Sequence, residues 1–461
     1  MSRLYCVVGG GISGLVAAYR LRTALGDDAD IALFEPAGPG GALRTERVGG
    51  VAVDVGAEAF LARRPEVPAL LAELGLAARQ LAATGARPLL YSRRRLHPLP
   101  KDTVNGIPSS AQSVAGLVDE ATIDQIDAEP ARALCWQPGI DPAVAQLVGD
   151  RFGEQVVTRS VDPLVGGVYA GSAATIGLRS AAPGVAAALD RGATSLTEAV
   201  RRALPEATGA PVFGAVAGGY TTLVEAVLRA GRPRWVPVAV EWIQRGDGWS
   251  LRDTAGGHWR PDRIVLAVPA PVLARLATGF APRTAAAASR IVSASSVVVT
   301  LAVPRGTAFP DNSGVLVASG EALHAKAITL WSRKWGNWGH NGTLELLRVS
   351  FGRFGDTRAG RASDDELLDW AVQDLHTVFG VAVRPVDALV QRWPAAMPQY
   401  RPGHAELVAD LMAGLPPGVA VAGNFLDGIG VPACVAAAGL AAETVITGST
   451  PAGQRPSRMA R

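Results

Sequence analysis

The sequence predicts an α/β fold built on a doubly wound parallel sheet. Three observations predict it. A short apolar run, Leu4–Val8, passes straight into a glycine loop. A stretch of helical period follows, Ser13–Leu25, with Leu15, Ala18, Leu21 and Leu25 on one face. A second short run, Asp30–Glu35, then ends on an acid. Together they read as strand, helix and parallel strand, the repeating unit of such a sheet.

Composition bounds the rest. A chain of 461 residues is too long for one simple core, so two or three domains, possibly interleaved, are expected. A net charge of +3, from 44 basic and 41 acidic residues without a dense basic stripe, argues against nucleic-acid binding. The cysteines, Cys6, Cys135 and Cys434, are scattered and give no disulfide framework. No Cys or His pair has metal-ligand spacing, so no metal is expected, and a reducing cytoplasm fits. The apolar N-terminal run is too short for a secretory leader. The longest apolar stretch, Val419–Ile446, is interrupted by Asn424, Asp427, Pro432 and Glu443, so no membrane span is expected.

Further along, Pro65–Leu74 reads as a helix stopped by Gly75, and residues 105–210 as a helical region. Strands are expected at Val236–Ile243, Trp249–Asp253, Arg263–Val268, Val297–Val303, Ala325–Trp331, Leu344–Phe351 and Val419–Ala422. Asp364–Phe379 reads as a helix, with Ser363 as N-cap and Glu366 three residues on. A last helix starts near Pro432, and Gly448–Arg461 reads as a mobile tail.

Gly9, Gly11 and Gly14 have GxGxxG spacing after a strand and at the start of a helix. The first allows the tight turn, the second lets pyrophosphate approach the backbone, and the third lets the helix pack on the strand. The helix N-terminus offers N–H groups and partial positive charge to phosphate. Glu35, about 20 residues on, is placed to accept from ribose hydroxyls. This fingerprint alone leaves NAD or FAD open. Two more loops follow, Gly40-Gly41-Ala42-Leu43-Arg44-Thr45 and Asp54-Val55-Gly56-Ala57-Glu58-Ala59-Phe60. Near the C-terminus, a strand, a loop holding Gly428 and Gly430, and a helix opened by Pro432 place another helix N-terminus toward a ligand.

These blocks resemble the FAD-dependent amine oxidase superfamily, and more narrowly the protoporphyrinogen and coproporphyrinogen oxidases of haem biosynthesis. The resemblance also rests on Leu96–Pro100, Asp162–Gly171, Gly218-Gly219-Tyr220, Ser332–Trp335, Arg392-Trp393 with Met397–Tyr400, and Gly423-Asn424 with Asp427–Cys434. It covers nearly the whole chain except the tail. The family usually has Asp where this chain has Ala433, and often Asp where it has Ser172. Cys434 itself reads as a packed small hydrophobe rather than a redox group.

The resemblance implies a split FAD-binding Rossmann-like domain with an α+β substrate domain and an α-helical domain. The expected FAD-binding parts are 1–75, 216–275 and 391–448. The mainly helical, substrate-contacting region is expected at 76–215, the substrate sheet at 276–390 and the tail at 449–461. Implied FAD contacts are Gly9, Gly10, Gly11, Ile12, Ser13, Gly14, Glu35, Gly41, Leu43, Arg44, Gly56, Ala57, Glu58 and Ala59. Val240 on the adenine side, Trp393, Ile429, Gly430 and Val431 complete the set.

The implied reaction removes three hydrides from a porphyrinogen, with molecular oxygen reoxidising FAD to give hydrogen peroxide. No catalytic side chain is expected, because the flavin performs the hydride chemistry. Arg63, which looks like the family's basic residue in the substrate cavity, Arg64 and Tyr169 are the substrate-binding candidates. Arg93-Arg94-Arg95 reads as a solvated turn. Without a membrane span or a basic interfacial helix, the four-carboxylate coproporphyrinogen III is preferred to protoporphyrinogen IX. A ferrochelatase taking the product directly is conceivable, with no sequence feature pointing to it. The rivals are another enzyme of the superfamily, such as an amine oxidase or carotenoid desaturase, and a non-catalytic flavin-binding scaffold.

Overall fold

The computed structural model describes residues 3–206, 211–336 and 342–448. Five parallel strands form the first sheet, in the order Arg234–Val236, Asp30–Phe34, Leu4–Val8, Arg263–Leu266 and Val419–Val421. Alternate residues point to opposite faces of a strand. Tyr5, Val7, Ile31, Leu33, Val265 and Ala420 pack under the helices Ile12–Leu25, Tyr220–Gly231 and Val431–Thr447. Cys6, Val8, Ala32, Phe34, Ile264 and Leu266 pack on the other side, against helices Ala270–Ala277 and Pro282–Ser289 and the hairpin that includes Trp249–Asp253. Burial of both faces explains why these strands read as continuous apolar runs.

A second sheet has seven strands, in the order Asp387–Pro398, Ser293–Pro304, Leu344–Phe351, Ala327–Thr329, Gly314–Val317, Leu89–Ser92 and Arg95–Pro98. One face, carrying Val297, Val299, Leu301, Leu347, Val349 and Phe351, buries itself on helix Asp364–Phe379. That helix opens with the expected capping box: Ser363 Oγ accepts from the Glu366 N–H, and the Glu366 carboxylate accepts from the Ser363 N–H. Ser363→Ala should therefore cost about 1 kcal/mol, read as a lower denaturation midpoint with unchanged flavin content. The opposite face of the sheet turns toward the loops of the first sheet and toward a helical unit. Short helices between Ala111 and Ala203 make up that unit, around a core that includes Val148, Phe152, Val165 and Leu196.

Several expectations need correcting. The strand read at Val236–Ile243 is two strands. Arg234–Val236 joins the parallel sheet, and Val240–Arg245 pairs antiparallel with Trp249–Asp253. Pro237 lies between them and has no N–H to continue a ladder. The strand read at Ala325–Trp331 spans Ala327–Thr329 and gives way to a helical turn, Trp331–Trp335. Asp387–Pro398 went unread because Pro394 and Pro398 argue against a strand. It is an edge strand, where such residues are tolerated. The domain boundary at 391 cuts through it, so the substrate sheet continues to Pro398. The boundary at 76 likewise puts Leu89–Ser92 and Arg95–Pro98 with the helices, whereas both belong to the seven-stranded sheet. The expected tail, 449–461, lies outside the described residues.

Candidate cofactor and substrate site

The chain leaves Leu4–Val8 toward Asp30–Phe34 on one side, while Arg263–Leu266 pairs on the other. Ligands of open α/β sheets bind in the crevice beyond such a switch point. Here that crevice is lined by glycine loops. Gly9 has φ +104°, and a Cβ on it would overlap the Ala267 carbonyl oxygen. A Cβ on Gly14 would overlap the Gly9 carbonyl oxygen, so only glycine lets the helix sit this close to the strand. Gly11 differs: its backbone is extended, and a Cβ there would meet nothing within 4 Å. The space in front of it is open.

That space faces two helix N-termini. Helix Ile12–Leu25 has no side-chain cap, and neither does Val431–Thr447, whose N-cap is Gly430. Their first-turn N–H groups therefore lack acceptors inside the helices. The two ends lie together, since Ser13 Oγ donates to the Cys434 carbonyl at 3.5 Å. Buried Cys434 is thus part of the packing between the helices. An anionic group in this position would find two helix dipoles and free N–H donors.

The second glycine loop folds onto the first. The Gly40 N–H donates to Gly10 O at 2.8 Å, and the Ala57 N–H donates to Ala42 O at 2.9 Å. Leu43 is buried beneath them, whereas Arg44 is half-exposed and paired with Glu46. Glu35 accepts from the Gly10 N–H at 2.9 Å and the Ala37 N–H at 2.8 Å, so its carboxylate stands at the mouth of the loop. Val240 is buried at the start of its strand, with its carbonyl accepting from Arg275. Trp393 donates its indole N–H to Val55 O at 3.0 Å and so braces the turn before Gly56. Ile429, Gly430 and Val431 form the approach to the C-terminal helix. Tyr400 supports that approach, donating to Asn424 O at 2.7 Å and accepting from the Gly428 N–H at 2.9 Å. The loops thus converge from both ends of the chain.

Glu58 lies in a position the sequence did not reveal. Its carboxylate accepts from Lys334 Nζ at 2.6 Å, Arg348 Nη1 at 3.1 Å and Trp335 Nε1 at 3.2 Å. Burial alone would raise this carboxyl, but the two cations outweigh it and hold it below the usual range. Arg348 also donates to Gly56 O at 2.9 Å. The Gly56–Ala59 loop is thereby locked to the seven-stranded sheet, and the Glu58 carboxylate is committed to that lock. Nearby, Asp54 accepts from the Tyr220 N–H and from Thr45 Oγ1. Burial pushes its carboxyl up to about 7. One signal could have flagged the lock: the chain has only Lys101, Lys326 and Lys334, and the last two are largely buried.

The substrate candidates separate. Arg63 is exposed at the end of the cofactor loop, its side chain in no ion pair among the described residues. Arg64 is tied to Glu66 by a forked contact. Tyr169 is buried in the helical core, and its hydroxyl donates to Ser180 O at 3.1 Å. Burial pushes that phenol up to about 12. Only its ring, tilted against Tyr400 at 5.6 Å, is left to wall a cavity.

A five-stranded parallel sheet with open space before Gly11, two uncapped helices and an acid at the loop mouth fits a dinucleotide such as FAD. The chain belongs to the flavin containing amine oxidoreductase family, which matches residues 12–446. Its cofactor is FAD. The chain is 68% identical over 445 residues to a coproporphyrinogen III oxidase of Mycobacterium tuberculosis, covering 96% of this chain and 97% of the relative. It is 28% identical to protoporphyrinogen oxidase of Bos taurus, covering 97% of this chain and 99% of the relative. Among solved structures, a candidate protoporphyrinogen oxidase from an Exiguobacterium species superposes with a TM-score of 0.86 at 25% identity, covering 97% of this chain and 100% of that one. Among the described residues no helix is long and apolar enough to cross a membrane, and no cluster could hold a metal ion.

Proposed function

We propose that this protein oxidises coproporphyrinogen III to coproporphyrin III in haem biosynthesis, in three two-electron steps, with molecular oxygen as final acceptor and hydrogen peroxide as by-product. The observation that carries this reading is the 68% identity along nearly the whole length of both chains. That the relatives at 66–68% identity are coproporphyrinogen III oxidases favours the four-carboxylate substrate over the two-carboxylate one. We place the reaction in the cytoplasm, where a ferrochelatase would take the product.

FAD, when bound, supplies the two-electron acceptor. Loss of hydride from a methylene bridge leaves a cation spread over neighbouring pyrroles, and their N–H protons leave next. No strong base is needed at that carbon, so the chain's task is placement and exclusion of water. In our reading Gly9–Gly14 and Glu35 hold the pyrophosphate and ribose, and Val240 holds the adenine side. Gly41, Leu43, Arg44, Trp393 and the Gly56–Ala59 loop position the ring system. The uncapped helix N-terminus at Ile429-Gly430-Val431 would favour negative charge on a ring system held there.

The test is porphyrin fluorescence from purified holoenzyme given coproporphyrinogen III, protoporphyrinogen IX or an amine in air. The fastest reaction is expected with coproporphyrinogen III. Rates no higher than the enzyme-free oxidation for both porphyrinogens would sink the reading. Arg63 stands where a carboxylate could meet a free guanidinium. Arg63→Ala should raise KM for coproporphyrinogen more than for protoporphyrinogen, and equal effects would remove it from the carboxylate site.

A further inference from the structure

Two cations lie between the seven-stranded sheet and helix Asp162–Tyr169 with no ion pair among the described residues. Lys326 is 9% exposed, and its Nζ has one hydrogen-bond acceptor among the described residues, Ser296 Oγ at 3.0 Å. Arg353 donates Nη2 to Val317 O at 2.8 Å, while its Nη1 is buried with no acceptor among the described residues. That Nη1 lies over Gly166, where a Cβ would stand 2.7 Å from it. Neither side chain forms an ion pair among the described residues. Asp162 is close enough to act on Arg353 electrostatically. Its oxygens, however, already accept from Ser172 Oγ, the Ala173 N–H and Ser319 Oγ.

Buried charges are normally paired, because removing them from water costs several kcal/mol each. Two neighbouring cations with Asp162 acting on Arg353 alone, and with Arg353 Nη1 left without an acceptor among the described residues, therefore form an arrangement that folding alone does not favour. Burial, together with repulsion from Arg353, pulls the Lys326 amine down to about 7. The pair also lies on the substrate side of the sheet. Val297 points to the helix-covered face, so Ser296 points to the other. There Ser296 is the cross-strand neighbour of Trp393, which braces the cofactor turn.

Resting on the proposed function, we infer that Lys326 and Arg353 together form a carboxylate subsite that receives one propionate of the porphyrinogen. The carboxylate supplies a counter-charge to Lys326 that Asp162 does not, and Arg353 Nη1 supplies a free donor. No local pattern singles out Lys326 or Arg353.

The test uses holoenzyme and the product as an equilibrium ligand. Coproporphyrin III and its tetramethyl ester are titrated into the parent, Lys326→Met and Arg353→Met proteins, and thermal midpoints are taken without porphyrin. Each substitution should weaken coproporphyrin III binding about tenfold or more and leave ester binding unchanged. Lys326→Met should melt no lower than the parent, because an apolar side chain replaces an unpaired buried charge. Parent-like affinity for coproporphyrin III in both variants would overturn the subsite, and so would equal weakening of acid and ester. If the parent itself binds no porphyrin, the proposed function fails first, and that result is distinct from failure of the variants.

Discussion

Gly11→Asp should give a folded protein that purifies without flavin. The backbone at Gly11 is extended and a Cβ there meets no protein atom within 4 Å, so the substitution should leave the fold undisturbed. The new carboxylate would instead occupy the space before the uncapped start of helix Ile12–Leu25, where the pyrophosphate belongs in our reading. Like charges about 4 Å apart at an effective dielectric near 20 repel by roughly 4 kcal/mol, which is roughly a thousandfold in affinity. Gly11→Asn has the same shape without the charge and should retain more FAD. The ratio of flavin to protein absorbance, with circular dichroism to confirm folding, measures both. Equal flavin in the Asp variant and the parent would mean that the phosphate lies elsewhere.

Glu58→Gln should be among the most destabilising conservative substitutions in the chain. It leaves Lys334 and Arg348 facing one another with their shared anion gone. Breaking a buried ionic pair from one side costs about 3–5 kcal/mol, against a total stability of about 5–15 kcal/mol. The Gly56–Ala59 loop should loosen with it, so flavin retention should fall as well. Adding Lys334→Met removes one orphaned cation and should recover part of the loss, giving a coupling energy by double-mutant cycle. Chemical denaturation of the four proteins measures it. Additive effects would show that the contact between Glu58 and Lys334 contributes little.

The parallel sheet and the glycine loops at its switch point were largely legible in the sequence because local rules govern them. Gly9 and Gly14 each have a steric reason, Gly11 fronts open space, and the runs Leu4–Val8 and Asp30–Phe34 are apolar because both faces are buried. Ser363 and Glu366 marked their helix start through a pattern only three residues long. What stayed hidden depends on partners far apart in the chain. Glu58 meets Lys334 and Arg348 across more than 270 residues, and Ser296 meets Lys326 over the intervening strand Leu344–Phe351, a strand order that no local signal sets. Tyr169 was equally consistent with a core and a cavity role. The structure spends its hydroxyl on Ser180, which local sequence could not show.

The central claim is that FAD held in this cradle takes electrons from coproporphyrinogen III. It is tested most directly by mixing the holoenzyme with limiting coproporphyrinogen III in the absence of oxygen and following flavin absorbance and porphyrin fluorescence together. The account predicts rapid bleaching, with about three flavins reduced for each coproporphyrin III formed, because each flavin takes one hydride equivalent. Flavin that stays oxidised while the porphyrinogen persists would contradict it.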